Sequence, residues 1–190
     1  MEEQTNQPTD TSIDVKATEQ YIIKVSLISL LGVLLVGWLS YLLLPLIITL
    51  PVSLLDRLVF GLHSSAVPLA WLVFAIANVA RRRRQSVEDI RGSAFGQPSQ
   101  KLAIHSAFLQ NTLEQVIILV GALLILATLL EGVWLTLLPA AVVVFSVGRL
   151  MFFLQYNEKP ESRALGMVIT MWPAIIGYVA IAIMLPMYWF

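Results

Sequence analysis

The chain has 190 residues, 58% of them hydrophobic and 13% charged, with a formal net charge of zero and a mean hydropathy of +0.81. A soluble domain is nearer ~45–50% apolar and ~25% charged, so the composition excludes an ordinary water-soluble fold and describes an integral membrane protein. Cysteine is absent, which excludes disulfides, thiolate metal sites and a cysteine nucleophile, and the two separated histidines, His63 and His105, suggest no metal site.

Residues 1–19 are polar and acidic, read as a flexible tail and lack the pattern of a cleavable signal peptide. Five apolar segments follow, each long enough to cross a bilayer as a helix, for which about 20 residues suffice. The first covers Tyr21–Leu50, with Pro45 kinking or ending it. Pro51–Gly61 connects it to the second, Leu62–Ala80, which stops at Arg81-Arg82-Arg83-Arg84. A polar stretch to Lys101, with Gly92, Gly96 and Pro98, reads as a loop. The third segment is Leu102–Leu130, with a turn at Glu131-Gly132. The fourth is Val133–Gln155, with Pro139 inside it, and Tyr156–Ser162 is a loop. The fifth runs from Arg163 to Pro186. The fold class is therefore all-α, a five-span transmembrane bundle.

Basic residues set an expected orientation. With five spans, all of the 12 except Arg57 fall on one side. The positive-inside bias then puts the N-terminus in the cytoplasm and the C-terminus opposite. The arginine run 81–84 reads as the anchor at that face, meeting anionic headgroups, and nucleic-acid binding is not needed to explain it.

Asn111-Thr112-Leu113-Glu114-Gln115 stands out in the third segment, which is otherwise uncharged from Leu102 to Leu130. A carboxylate and a carboxamide there cost several kcal/mol unless paired. Asn111 and Glu114 are one helical turn apart on one face, and Gln115 is close to it. Arg149, Tyr156 and Arg163 follow at seven-residue intervals across the last two spans. Antiparallel helices would bring these groups to one level, and Glu114 is expected to pair with Arg149 or Arg163. Guanidinium groups bind carboxylates bidentately, so such a pocket suits a small zwitterionic or polyanionic ligand. The competing reading is that the polar groups pair only with one another and fix packing. Gln115 reads as packing glue, Asn78 as a helix-terminal residue, and His105 as an interfacial residue without an evident partner.

These residues carry a resemblance. The basic run Arg81–Arg84, the segment Glu88-Asp89-Ile90-Arg91-Gly92, Asn111-x-x-Glu114, and Gly148-Arg149, Tyr156 and Arg163 together are similar to the MAPEG family. Its members are membrane-associated proteins of eicosanoid and glutathione metabolism. The resemblance extends from Leu62 to about Pro186. It implies a MAPEG-like four-helix domain over residues 62–187, preceded by an additional transmembrane helix over residues 20–50.

The resemblance further implies a homotrimer, with the third span near its axis and glutathione as co-substrate between protomers. It implies that Asn111, Glu114, Arg149, Tyr156 and Arg163 contact the tripeptide, and that Arg163 is catalytic, holding the thiolate. A nearby cation lowers a thiol pKa, which makes that role physically sensible. The sequence departs from the eicosanoid-type pattern at Ala107 and Gln110, where many members carry arginines, and at Ala164, where some carry a hydroxyl. The implied activity is glutathione transferase or peroxidase chemistry on a lipophilic electrophile that enters from the membrane lipid. The alternative is a non-catalytic membrane protein that keeps the scaffold and uses the polar cluster for packing or assembly. A small transporter or lipid-binding protein is a weaker third reading, because no inverted repeat or broken-helix pair is evident.

Overall fold

A computed structural model describes the backbone of residues 15–92, 96–155 and 160–189, and their side chains except at 15, 17, 18 and 160–163. Five helices among these residues are long and apolar enough to cross a membrane: α1 Val15–Leu43, α2 Leu54–Arg83, α3 Gln100–Leu129, α4 Leu137–Leu154 and α5 Pro160–Trp189. No strand occurs among the described residues.

Helix ends follow local chemistry. α1 starts within the stretch expected to be tail and stops at a 3-10 turn, Leu44–Leu46, that contains Pro45. α2 starts eight residues earlier than its apolar run suggests, because Ser53 caps it, accepting from Asp56 N at 3.1 Å while its hydroxyl donates to the Asp56 carboxylate at 2.6 Å. Arg81, Arg82 and Arg83 form its last turn, where cations offset the helix dipole. Ser99 caps α3. The α3–α4 turn needs a left-handed residue, supplied by Gly132 at φ +54°, and passes through a 3-10 segment, Gly132–Thr136. Pro139 falls in the first turn of α4, where its missing N–H costs no internal bond. α5 starts at Pro160 and carries Pro173 and Pro186 inside.

α2 packs chiefly on α3, and α4 on α5, while α3 also meets α5. The core lies where these hairpins meet, around Leu119, Leu123, Leu126, Leu138 and Phe145. α4 and α5 cross with their backbones nearly touching at Gly148 and Gly166. A Cβ added at Gly148 would lie 2.7 Å from Thr170 N and 3.0 Å from Gly166 O. α1 lies outside this core, against α5 and less extensively α4.

Two polar links tie the ends of the bundle. Arg57, in the first turn of α2, is buried and donates to Glu131 Oε1 at 2.7 Å and Leu130 O at 3.0 Å. The single basic residue that departs from the charge bias is thus held in an ion pair at the α3–α4 turn. At the other end, Asp89 accepts from Ser99 N at 2.8 Å and Ser99 Oγ at 2.7 Å, fastening the α2–α3 loop to the cap of α3. The Ser99 backbone N–H, then its hydroxyl, hold the Asp89 carboxyl below its usual range.

Candidate functional site

α3, α4 and α5 converge on Arg149, which is 0% exposed. The close α4–α5 crossing one residue away, at Gly148, brings Thr170 to it. Its Nε donates to Thr170 Oγ1 at 3.3 Å, Nη1 to Thr112 Oγ1 at 3.2 Å and Nη2 to Asn111 Oδ1 at 2.9 Å. Its guanidinium carbon lies 4.8 Å from the centroid of Phe152 and 5.8 Å from that of Phe145. Phe108 joins this aromatic shell, its ring centroid 5.8 Å from that of Phe152. The described acceptors are all neutral, so the buried positive charge is held by dipoles and ring faces. Both threonine hydroxyls also donate to their own helices, Thr112 to Phe108 O and Thr170 to Gly166 O, each at 2.7 Å.

This arrangement orients Asn111. Arg149 offers only donors, so the amide oxygen must face it, and Nδ2 is turned away as a donor. Asn111 is half-buried and Glu114 exposed on the same side of α3. The expected Glu114–Arg149 pair does not form. Glu114 Oε1 instead accepts from Gln110 Nε2 at 2.7 Å, one turn back on α3. The reason is angular: Arg149 sits between Asn111 and Thr112, and Glu114 projects about 110° away around the helix. Glu114 stands about 22 Å from the Leu129 end of α3, within reach of a ~30 Å hydrocarbon layer.

Asn111 and Arg149 are therefore brought together, with Glu114 beside them on the outer face. Tyr156 and the Arg163 side chain lie outside the described residues, although the Arg163 backbone falls in the first turn of α5. Gln115 is buried, and Asn78 Nδ2 bonds to Phe74 O at 2.9 Å. His105 is not partnerless: its Nε2 accepts from Arg82 Nε at 3.0 Å, joining α2 to α3. Ala107 and Gln110 are exposed on the same stretch of α3, and Ala164 is buried. Among the described residues, no group of His, Asp and Glu could hold a metal ion.

Sequence reasoning missed Thr112 and Thr170 as partners of Arg149, and Gln110 as the partner of Glu114. Gly166-x-x-x-Thr170, a small-residue spacing within an apolar span, was the available signal for the close crossing.

A multi-pass helical bundle with an arginine–asparagine link between its third and fourth spans defines a class of integral membrane protein. The MAPEG family model matches residues 61–183, and the chain belongs to that family. No curated protein and no solved structure matches it. α1 precedes the matched region.

Proposed function

We propose that the protein binds glutathione beside Asn111 and Glu114 and uses it in transferase or peroxidase chemistry on a lipophilic electrophile from the bilayer. The observation that carries this reading is the 2.9 Å bond from Arg149 to Asn111, which turns the amide Nδ2 outward next to the exposed Glu114 carboxylate. Glutathione has two carboxylates and an ammonium. Asn111 Nδ2 is a donor for the former, and Glu114 is an acceptor for the latter, so this donor set fits the tripeptide. Arg149 is enclosed by its own protomer and acts by orienting Asn111 and adding positive potential. Tyr156 and Arg163 complete the proposed site. Glutathione supplies the thiol nucleophile that the cysteine-free chain lacks, and the Arg163 cation favours the thiolate.

The same face supports a homotrimer with α3 near its axis. Gln110, Leu113, Glu114, Ile117 and Ile118 are all exposed on α3. A carboxylate and an amide on the outside of a membrane-spanning helix are costly against lipid, and a neighbouring protomer would shield them. The proposed orientation has the N-terminus and the arginine run cytoplasmic, so the site faces the cytoplasmic half.

Packing without catalysis is the second reading, favoured by the enclosure of Arg149 and its three neutral acceptors. Glutathione affinity and melting temperature of detergent-purified wild type, Glu114→Gln and Arg163→Ala separate the two. The enzymatic reading expects saturable binding, weakened by Glu114→Gln, and an Arg163→Ala variant that loses conjugation rate more than affinity. Absence of binding by the wild type at millimolar glutathione refutes it. Loss of melting temperature or of the oligomer, with no glutathione effect, is the packing outcome.

A further inference from the structure

α1 does not pack tightly along its whole length. At its midpoint, Trp172 Nε1 of α5 donates to Ser29 Oγ at 3.1 Å and Ser26 O at 3.2 Å. Near its C-terminal end, the Tyr41 ring lies 5.0 Å from Trp134, centroid to centroid. Between these clasps the helices part around a cavity of about 760 Å³. α1 forms one wall through Leu34, Gly37 and Trp38. α3, α4 and α5 form the rest, and Leu119, Leu123 and Leu138 on its floor are buried. Small residues, among them Ala122, Ala141 and Gly177, leave the space unfilled, and Pro173 removes one backbone bond of α5 beside it. Leu34, Leu35, Trp38 and Trp134 on its rim are exposed.

No lining residue carries a charge. The polar side-chain atoms in the lining belong to Tyr41, Trp38 and Trp134, gathered toward the C-terminal end of α1. The volume falls in the ~300–1,000 Å³ range of small-molecule sites. An apolar space of this size inside a bundle forfeits packing unless filled, and water finds no partners in it. α1 and the bundle already form all its walls, so the occupant need not be another protein segment. The chemistry asks for a hydrocarbon chain with a polar group at one end, open to the bilayer at the rim.

We infer that this cavity binds one acyl chain of a membrane phospholipid, with the headgroup beside Tyr41 and Trp134, and that α1 is the wall that retains it. The cavity begins at Leu119, roughly 12 Å along α3 from Asn111, so the inference does not rest on glutathione binding.

The test reconstitutes the full chain in phosphatidylcholine vesicles doped with a phospholipid bearing a diazirine near the end of one acyl chain. Photolysis and peptide mapping locate the adducts. The inference expects adducts on the floor at the end of the cavity away from Trp134, at Leu119, Leu123 and Val144, beside ordinary lipid-contact adducts at Val73 and Ile76 of α2. Ala141→Phe should reduce the floor adducts severalfold and leave those on α2 unchanged. Gly37→Leu is the second filling variant, since a Cβ there meets only Leu137, at an ordinary 3.6 Å. Its melting temperature and unchanged α2 labelling certify the fold. Floor residues without adducts while α2 is labelled overturn the inference, as does floor labelling that neither variant reduces. A photoreactive free fatty acid that labels the floor where the phospholipid does not also overturns it.

Discussion

Gly166→Ala tests the crossing that places Arg149. The added methyl would lie 2.7 Å from Phe152 Cα and 3.0 Å from Gly148 O, all backbone on the facing side, so no rotamer change relieves it. Carbon atoms rest about 3.5–4.0 Å apart, so the two helices must separate by roughly 1 Å. The bond from Arg149 to Thr170, already 3.3 Å long, would then be lost. Overpacking of this kind costs ~1–3 kcal/mol, and backbone contact puts it toward the upper end. Alanine's better helix propensity returns ~0.5–1 kcal/mol. The net loss is ~1–2.5 kcal/mol, a fall of about 2–10 °C in melting temperature for a chain of this size. Gly32→Ala is the control: it makes the same chemical change on α1 with nothing within 4 Å, so it should leave the melting temperature unchanged or slightly raised. Thermal unfolding of both variants in one detergent is the assay. Equal shifts, or no fall for Gly166→Ala, would refute the argument that backbone contact sets the position of Arg149.

Three further predictions use other parts of the structure. Arg57→Met should cost ~1.5–3 kcal/mol, because the Leu130 carbonyl loses a charged donor, whereas Glu131→Gln should cost only ~0–1 kcal/mol, because Glu131 is 78% exposed; thermal unfolding of the pair decides. The lowered pKa of Asp89 makes its contribution fully present above its unfolded value near 3.8, and lost as pH falls through the lower folded value. Protease nicking of the 84–99 loop should therefore rise as pH drops below about 4, and Asp89→Asn should nick readily at neutral pH and lose that dependence. Reporter fusions at Gln97 and after Phe190 should report opposite sides of the membrane, with Gln97 cytoplasmic; the reverse arrangement would refute the charge-bias argument.

The number of spans and the all-helical class were legible in the sequence, because hydrocarbon leaves the backbone no alternative to internal hydrogen bonding. The family was legible too, since its polar residues interrupt apolar spans and stand out there. Helix ends were less so: apolar runs mark what contacts lipid or core, whereas Ser53 and Ser99 set the starts of α2 and α3 by capping. The company of Arg149 was decided only by tertiary structure. Sequence spacing placed Glu114 and Arg149 at one level but could not say which side of α3 would face α4. The packing of α3 on α2 and α5 turns its Asn111–Thr112 side to Arg149 and leaves Glu114 to Gln110, while the α4–α5 crossing adds Thr170. Complementary charge identified the candidates, and the rotation of α3 chose among them, while two glycines that admit no side chain between α4 and α5 brought Thr170 to Arg149.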